Sequence, residues 1–192
     1  MPGAYKEVKD TTVVALFKVI KNDQSSFLFD DPNEDVRIAA WTTTPWTLPS
    51  NTALCAGPDI SYIKIKTSNP YTHTPVSVVL AEALVPNWFG GKNQSTVEGQ
   101  SAAFKGSKMK GIRYEPLLDF GNEIEPLLGG TDAYLVLTGD HVTTSDGTGI
   151  VHTAPSFGAD DQRVAKANGV GTLTRVDQTG KFKENVGPYS GR

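Results

Sequence analysis

Glycine and proline punctuate this chain at short intervals. It has 192 residues, with 19 Gly and 12 Pro. Between these breaks the apolar runs last only four to eight residues, too short for most helices and right for strands. Threonine and valine are frequent in the runs, which strengthens the strand reading. Strands are expected at Val13–Ile20, Val36–Thr42, Ser61–Thr67, Val76–Leu80, Ala133–Thr138 and Ile150–His152. In Ser61–Thr67 the alternation puts Tyr62, Lys64 and Lys66 on one face and Ile63 and Ile65 on the other. Helix signals are few. The best covers Phe157–Asn168, with Ser156 as a candidate N-cap, Asp160 and Asp161 in the first turn, and Gly169 as the stop. A shorter helix is expected after Leu80, ending at Pro86, and residues 45–51 read as a turn or a single helical turn. The expected fold class is a β-rich α+β domain: a small β-barrel core with a few peripheral helices. No repeat or linker divides the chain, so residues 1–192 read as one domain, and its ends read as the boundaries of a piece excised from something larger.

Composition excludes several classes. At 38% hydrophobic the chain can bury a core. One cysteine, Cys55, excludes an internal disulfide framework and a Cys-rich metal site. His73, His141 and His152 lack ligand-like spacing, so no metal is expected. No apolar stretch is long enough for a membrane span. Lys6, Glu7, Lys9 and Asp10 interrupt any leader peptide, so a cytoplasmic location is expected. A net charge of −3 argues against broad electrostatic capture of nucleic acid. The densest basic stretch, Lys105, Lys108, Lys110 and Arg113, reads as a solvated face first and a phosphate contact second.

Two segments carry possible chemistry. Trp41-Thr42-Thr43-Thr44-Pro45-Trp46-Thr47-Leu48-Pro49-Ser50-Asn51 places three threonines at a strand end, where Pro45 forces a turn. Gly147-Thr148-Gly149-Ile150-Val151-His152-Thr153-Ala154-Pro155-Ser156-Phe157-Gly158-Ala159-Asp160-Asp161 runs from a glycine turn through a short buried strand into a helix start. Plainer readings exist for both. Threonine is a good strand residue, His152 can be a satisfied core histidine, and the two acids can simply complement a helix dipole. A Ser156–His152–Asp161 triad lacks the nucleophile elbow, and no phosphate-cradling loop is present.

Taken together, the two segments resemble the editing domain of isoleucyl-tRNA synthetase, an insertion in the class I synthetases for Ile, Val and Leu. The resemblance extends over YKEVKD at 5–10, LAEAL at 80–84, FKGS at 104–107, RYEPL at 113–117 and VDQTGKF at 176–182. The valyl and leucyl versions carry Arg where this chain has Thr44; Gly171 stands where the family has Pro. The HIGH and KMSKS signatures of aminoacylation are missing, and Lys105–Lys110 only superficially resembles the second. The resemblance implies hydrolysis of mischarged Val-tRNA(Ile) with isoleucine excluded by size. One methylene is worth only about 1–3 kcal/mol to a binding pocket, a limit for which this very synthetase is the standard illustration. It implies Thr43, Thr44 and Asp161 in catalysis. Trp41, Thr42, Thr43, Thr44, Thr47, Asn51, His152, Asp160 and Asp161 are implied in substrate binding. Asp161 holds the α-ammonium and His152 gates the side-chain pocket. The implied partners are the 3′-aminoacylated end of tRNA(Ile), its valine moiety and the rest of the synthetase in cis, with no membrane. The domain is expected to be monomeric, to bind tRNA weakly by itself, and to hold no cofactor, since ATP and any zinc belong to other parts of such an enzyme. Two alternatives are a non-catalytic β-rich binding module and a hydrolase of aminoacyl-adenylate that needs no tRNA.

Overall fold

The computed structural model describes residues 11–91, 95–121 and 123–192. The lead-in at 5–10 and the charges at Lys6, Glu7, Lys9 and Asp10 lie outside these residues. Nine strands form one mixed sheet: β1 (Val13–Lys18), β2 (Val36–Thr42), β3 (Ala53–Ala56), β4 (Ser61–Ser68), β5 (Pro75–Ala81), β6 (Gly99–Gln100), β7 (Phe104–Lys105), β8 (Leu135–Thr138) and β9 (Ile150–Thr153). The six expected strands are all present, with ends adjusted by one or two residues. β8 starts at Leu135 because Tyr134 sits at φ +60, outside the strand region.

β3 escaped the sequence reading. Its four residues, Ala-Leu-Cys-Ala, are all buried, because Leu54 and Ala56 pack into one apolar cluster and Ala53 and Cys55 into another. A strand covered on both faces shows no alternation. β6 and β7 are two residues each, too short to leave a pattern.

The β-rich α+β class expected from the sequence is present, and the sheet that forms its core is not closed into a barrel. The strand order is β6-β4-β5-β2-β9-β3-β8, with β1 paired to β2 and β7 to β4. β1 meets β8 only through residues 112–115, by the single bridges Val19↔Tyr114 and Arg113↔Leu135. That segment is too short and irregular to complete a ladder.

β2 is the pivot. β1 runs antiparallel along its whole length on one edge. The other edge is shared by two parallel neighbours, β5 against Val36–Ile38 and β9 at Trp41↔Val151. The main apolar cluster includes Phe17, Ile38, Leu54, Tyr62, Val79 and Tyr114, all essentially inaccessible.

Among the described residues there are two α-helices, α1 (Val85–Trp88) and α2 (Ala159–Ala167). Pro86 does not stop the short helix. It lies in the first turn of α1, where its missing N–H costs nothing. Gly169, at φ +68, ends α2 as expected. The Val170 amide reaches back to Ala165 O at 3.0 Å in a Schellman closure. Among the described residues no helix is long and apolar enough to cross a membrane.

The alternation in β4 holds, and on its lysine face Lys66 stays partly exposed while Lys64 is buried. Lys64 is 1% exposed. Its ammonium donates to Leu28 O at 2.8 Å, Asp30 Oδ2 at 2.9 Å and Glu34 Oε1 at 2.8 Å. The polar loop at 30–35 therefore folds over β4 and neutralises a buried cation. Gly171 is also more than a loop variant. It is buried, its amide donates to Asp132 O at 2.9 Å, and the place a Cβ would take is filled by Ile124 and by Glu125 O.

Candidate functional site

The parallel pairing of β2 with β9 makes the site. Trp41 lies opposite Val151, and both strands run the same way. The chain therefore leaves both strands at the same end of the sheet. After β2 it enters a 3-10 turn over Pro45–Ser50; after β9 it turns into α2. Two segments about a hundred residues apart become neighbours. Their outer rings touch, Trp46 against Phe157, edge-on with centroids 5.2 Å apart.

Beneath these rings lies a buried polar chain. His152 Nε2 is 2.7 Å from Thr47 Oγ1, and His152 Nδ1 is 3.1 Å from Asn51 Nδ2. Asn51 Nδ2 also donates to Ala53 O at 2.8 Å. Asn51 Oδ1 accepts from Tyr114 Oη at 2.7 Å. Thr47 Oγ1 donates to Thr44 O at 2.8 Å. Burial pushes the imidazole down to about 4, so the ring is neutral at pH 7. Both ring nitrogens are engaged, and Ser156 points its hydroxyl at Thr172 (2.6 Å) and Thr174 (2.9 Å), so these residues form no nucleophilic triad.

The threonine bend is tied internally. Thr44 N donates to Thr42 Oγ1 at 3.1 Å, with Thr44 Oγ1 3.4 Å from the same oxygen. Thr42 and Thr47 are buried, while Thr43 and Thr44 are exposed. Trp41 is half-buried and packs on Gly147, whose φ of +73 and contact with the indole leave no room for a side chain.

Asp161 serves the turn that Ser156 was expected to cap. The N-cap of α2 is Gly158, without a side-chain bond. Asp161 Oδ2 instead accepts from the Ala154 amide at 2.9 Å, tying the helix head back to the end of β9. Burial pushes its carboxyl up, while the Ala154 amide and the nearby His141 pull it down. Asp160 is exposed and pairs with Arg163 along the helix at 3.1 Å. The structure thus joins Thr42, Thr44, Thr47, Asn51 and His152 in one bonded group. Asp161 is bonded to the Ala154 amide, two residues along the chain from His152, and Asp160 stands apart.

Sequence reading missed Tyr114 and Trp46, and only their position reveals them. Neither of two clefts elsewhere on the molecule is lined by any of the nine predicted residues. One, of about 990 Å³, lies over Val14, Leu16, Ala39, Val78 and Trp88; the other, of about 530 Å³, lies along residues 177–191. Among the described residues no group of three or more His, Cys, Asp or Glu is placed to hold a metal ion. The basic stretch is engaged locally: Lys105 holds Asp59 O, Lys108 lies over the Phe27 ring, and Arg113 pairs with Asp132.

No protein-family model matches the chain. Among solved structures the fold is similar to GlLeuRS-CP1, with a TM-score of 0.59 and 18% identity, covering 95% of this chain and 70% of that one. It is also similar to the Plasmodium knowlesi cytosolic leucyl-tRNA synthetase editing domain, with a TM-score of 0.59 and 13% identity, covering 82% and 64%. The architecture is that of the synthetase CP1 editing domains. In sequence the chain is 44% identical over 198 residues to the isoleucine--tRNA ligase of Porphyromonas gingivalis, and 40% over 212 residues to that of Cytophaga hutchinsonii. These matches cover 96% and 99% of this chain but only 16% and 18% of those proteins. The chain belongs with the isoleucine--tRNA ligases, as the counterpart of one segment of them.

Proposed function

We propose that this domain hydrolyses the ester of mischarged Val-tRNA(Ile) and spares Ile-tRNA(Ile) by size, working in the cytoplasm in cis with the rest of its synthetase. The observation that carries the reading is the 2.7 Å contact between Thr47 and His152, which joins the two family motifs in one site. Asp161, placed by the β9–α2 turn, receives the substrate's α-ammonium. Arrival of that cation lowers the carboxyl that burial has raised. His152, neutral and fixed, forms the wall that a larger side chain would strike. The exposed Thr43 and Thr44 hydroxyls hold the ester and a water. With both imidazole nitrogens engaged, no side chain serves as general base. Catalysis then rests on positioning and on stabilising developing charge, with a hydroxyl of the terminal ribose aiding the water.

The test is deacylation of Val-tRNA(Ile), valyl-adenylate and Ile-tRNA(Ile) by this domain, with Asp161→Ala as control. Loss of Val-tRNA(Ile) turnover in a folded Asp161→Ala variant is expected, and near wild-type turnover removes Asp161 from the site. Turnover of the adenylate alone marks a tRNA-independent hydrolase, and turnover of neither marks a binding module.

A further inference from the structure

We propose that Tyr114 and Asn51 lock the His152 imidazole in the tautomer that carries its proton on Nε2. Its consequence for editing rests on the function proposed above, whereas the proton pattern rests on hydrogen bonding alone.

The pattern is legible from both ends, because each end is a main-chain carbonyl, which only accepts. At one end Asn51 faces Ala53 O at 2.8 Å, so the amide NH2 lies on that side. The same NH2 is 3.1 Å from His152 Nδ1, and that nitrogen must present a lone pair to it. Asn51 Oδ1 accepts from Tyr114 Oη at 2.7 Å, and this anchors the amide from the far side. At the other end Thr47 spends its only proton on Thr44 O at 2.8 Å. It can then only accept from His152 Nε2 at 2.7 Å. Both ends demand the same tautomer. Tyr114, Asn51, His152 and Thr47 are 1%, 4%, 6% and 4% exposed, so bulk water does not compete. Within the charged or titratable neighbours that bond to this chain, Tyr114 is the single member, and burial raises its phenol, which keeps it a donor.

The lock leaves His152 without a nitrogen for proton transfer and Thr47 without a proton for a ligand. The ring is thereby a shape element, and the hydroxyls left for chemistry are those of Thr43 and Thr44. Tyr114 and Asn51 are positioning residues, acting through His152.

The experiment is a two-bond 15N–1H correlation spectrum of histidine-labelled protein at neutral pH. The chain has three histidines, and loss of one signal set in His152→Gln assigns the residue. At the signal set so assigned, the unsubstituted protein is expected to show a protonated Nε2 and a bare Nδ1; a protonated Nδ1 there overturns the proposal. In Asn51→Asp the acceptor-only carboxylate should draw a proton onto Nδ1, and an unchanged pattern there also overturns it. In Tyr114→Phe the tautomer is kept, but exchange of the Nε2 proton with water rises about tenfold; unchanged exchange removes Tyr114 from the lock. Preference for Val-tRNA(Ile) over Ile-tRNA(Ile) should fall about tenfold in Asn51→Asp. A protein with the expected tautomer that deacylates nothing refutes the editing function and leaves the lock standing.

Discussion

Mild acid should weaken this fold chiefly through His152. Burial holds its imidazole at about 4, against 6.5 in the unfolded chain. The unfolded state therefore takes up a proton that the folded state refuses across that interval. The stability tied to the neutral ring is fully present above pH 6.5, declines as pH falls, and is gone below about pH 4. The interval from 6.5 to about 4 spans about 2.5 pH units at about 1.4 kcal/mol each, which sets about 3–4 kcal/mol as the upper bound. Asp161 titrates in the opposite sense: its carboxyl is raised, so its contribution is present at low pH and lost as pH rises through the folded value. Asp30, held at about 2 by Lys66 and Lys64, loses its contribution only in stronger acid. Comparison with His152→Gln cancels both. Urea unfolding followed by tryptophan fluorescence, from about pH 7 to about pH 4.5, crosses most of that interval and should show the unsubstituted protein losing about 2–3 kcal/mol more than the variant. Parallel stability curves for the two proteins would refute a buried neutral imidazole.

Three further outcomes follow from particular contacts. Glu34→Gln leaves the buried Lys64 ammonium with Asp30 as its remaining carboxylate and should cost about 1.5–3 kcal/mol in urea unfolding, with most of it regained in Glu34→Gln, Lys64→Met; additive losses would contradict the pairing. Gly171→Ala forces a methyl against Ile124 and Glu125 O and should lower stability by about 1–3 kcal/mol in thermal melts, whereas an unchanged melting temperature would show that the segment at 124–125 yields. His152→Ala should expose Ile-tRNA(Ile) to hydrolysis, and a variant that still spares it places the gate on another residue.

Much of the strand layout is legible locally. Val36–Thr42 and Ser61–Ser68 announce themselves by β-branched residues and alternation, and Gly169 announces the end of α2, because these preferences act between neighbours along the chain. β3 stays hidden because its environment, and not its composition, makes it a strand. Lys64 shows the same limit: its face is set by local alternation, whereas its burial is decided by a distant loop that brings Asp30 and Glu34 over it.

The candidate site divides along the same line. Its residue types were present in two motifs, and local chemistry alone marked the Pro45 turn and the helix head at Asp160 and Asp161. That Thr47 and Asn51 would close on His152, with Tyr114 behind them, was decided only when β9 paired parallel with β2. Parallel pairing is a long-range event between strands that share no local signal, and its register depends on every element that packs around them. The sequence by itself set which hydroxyls, imidazole and carboxyl were available, and the tertiary structure chose which were buried into a fixed network and which were left at the surface to meet a ligand.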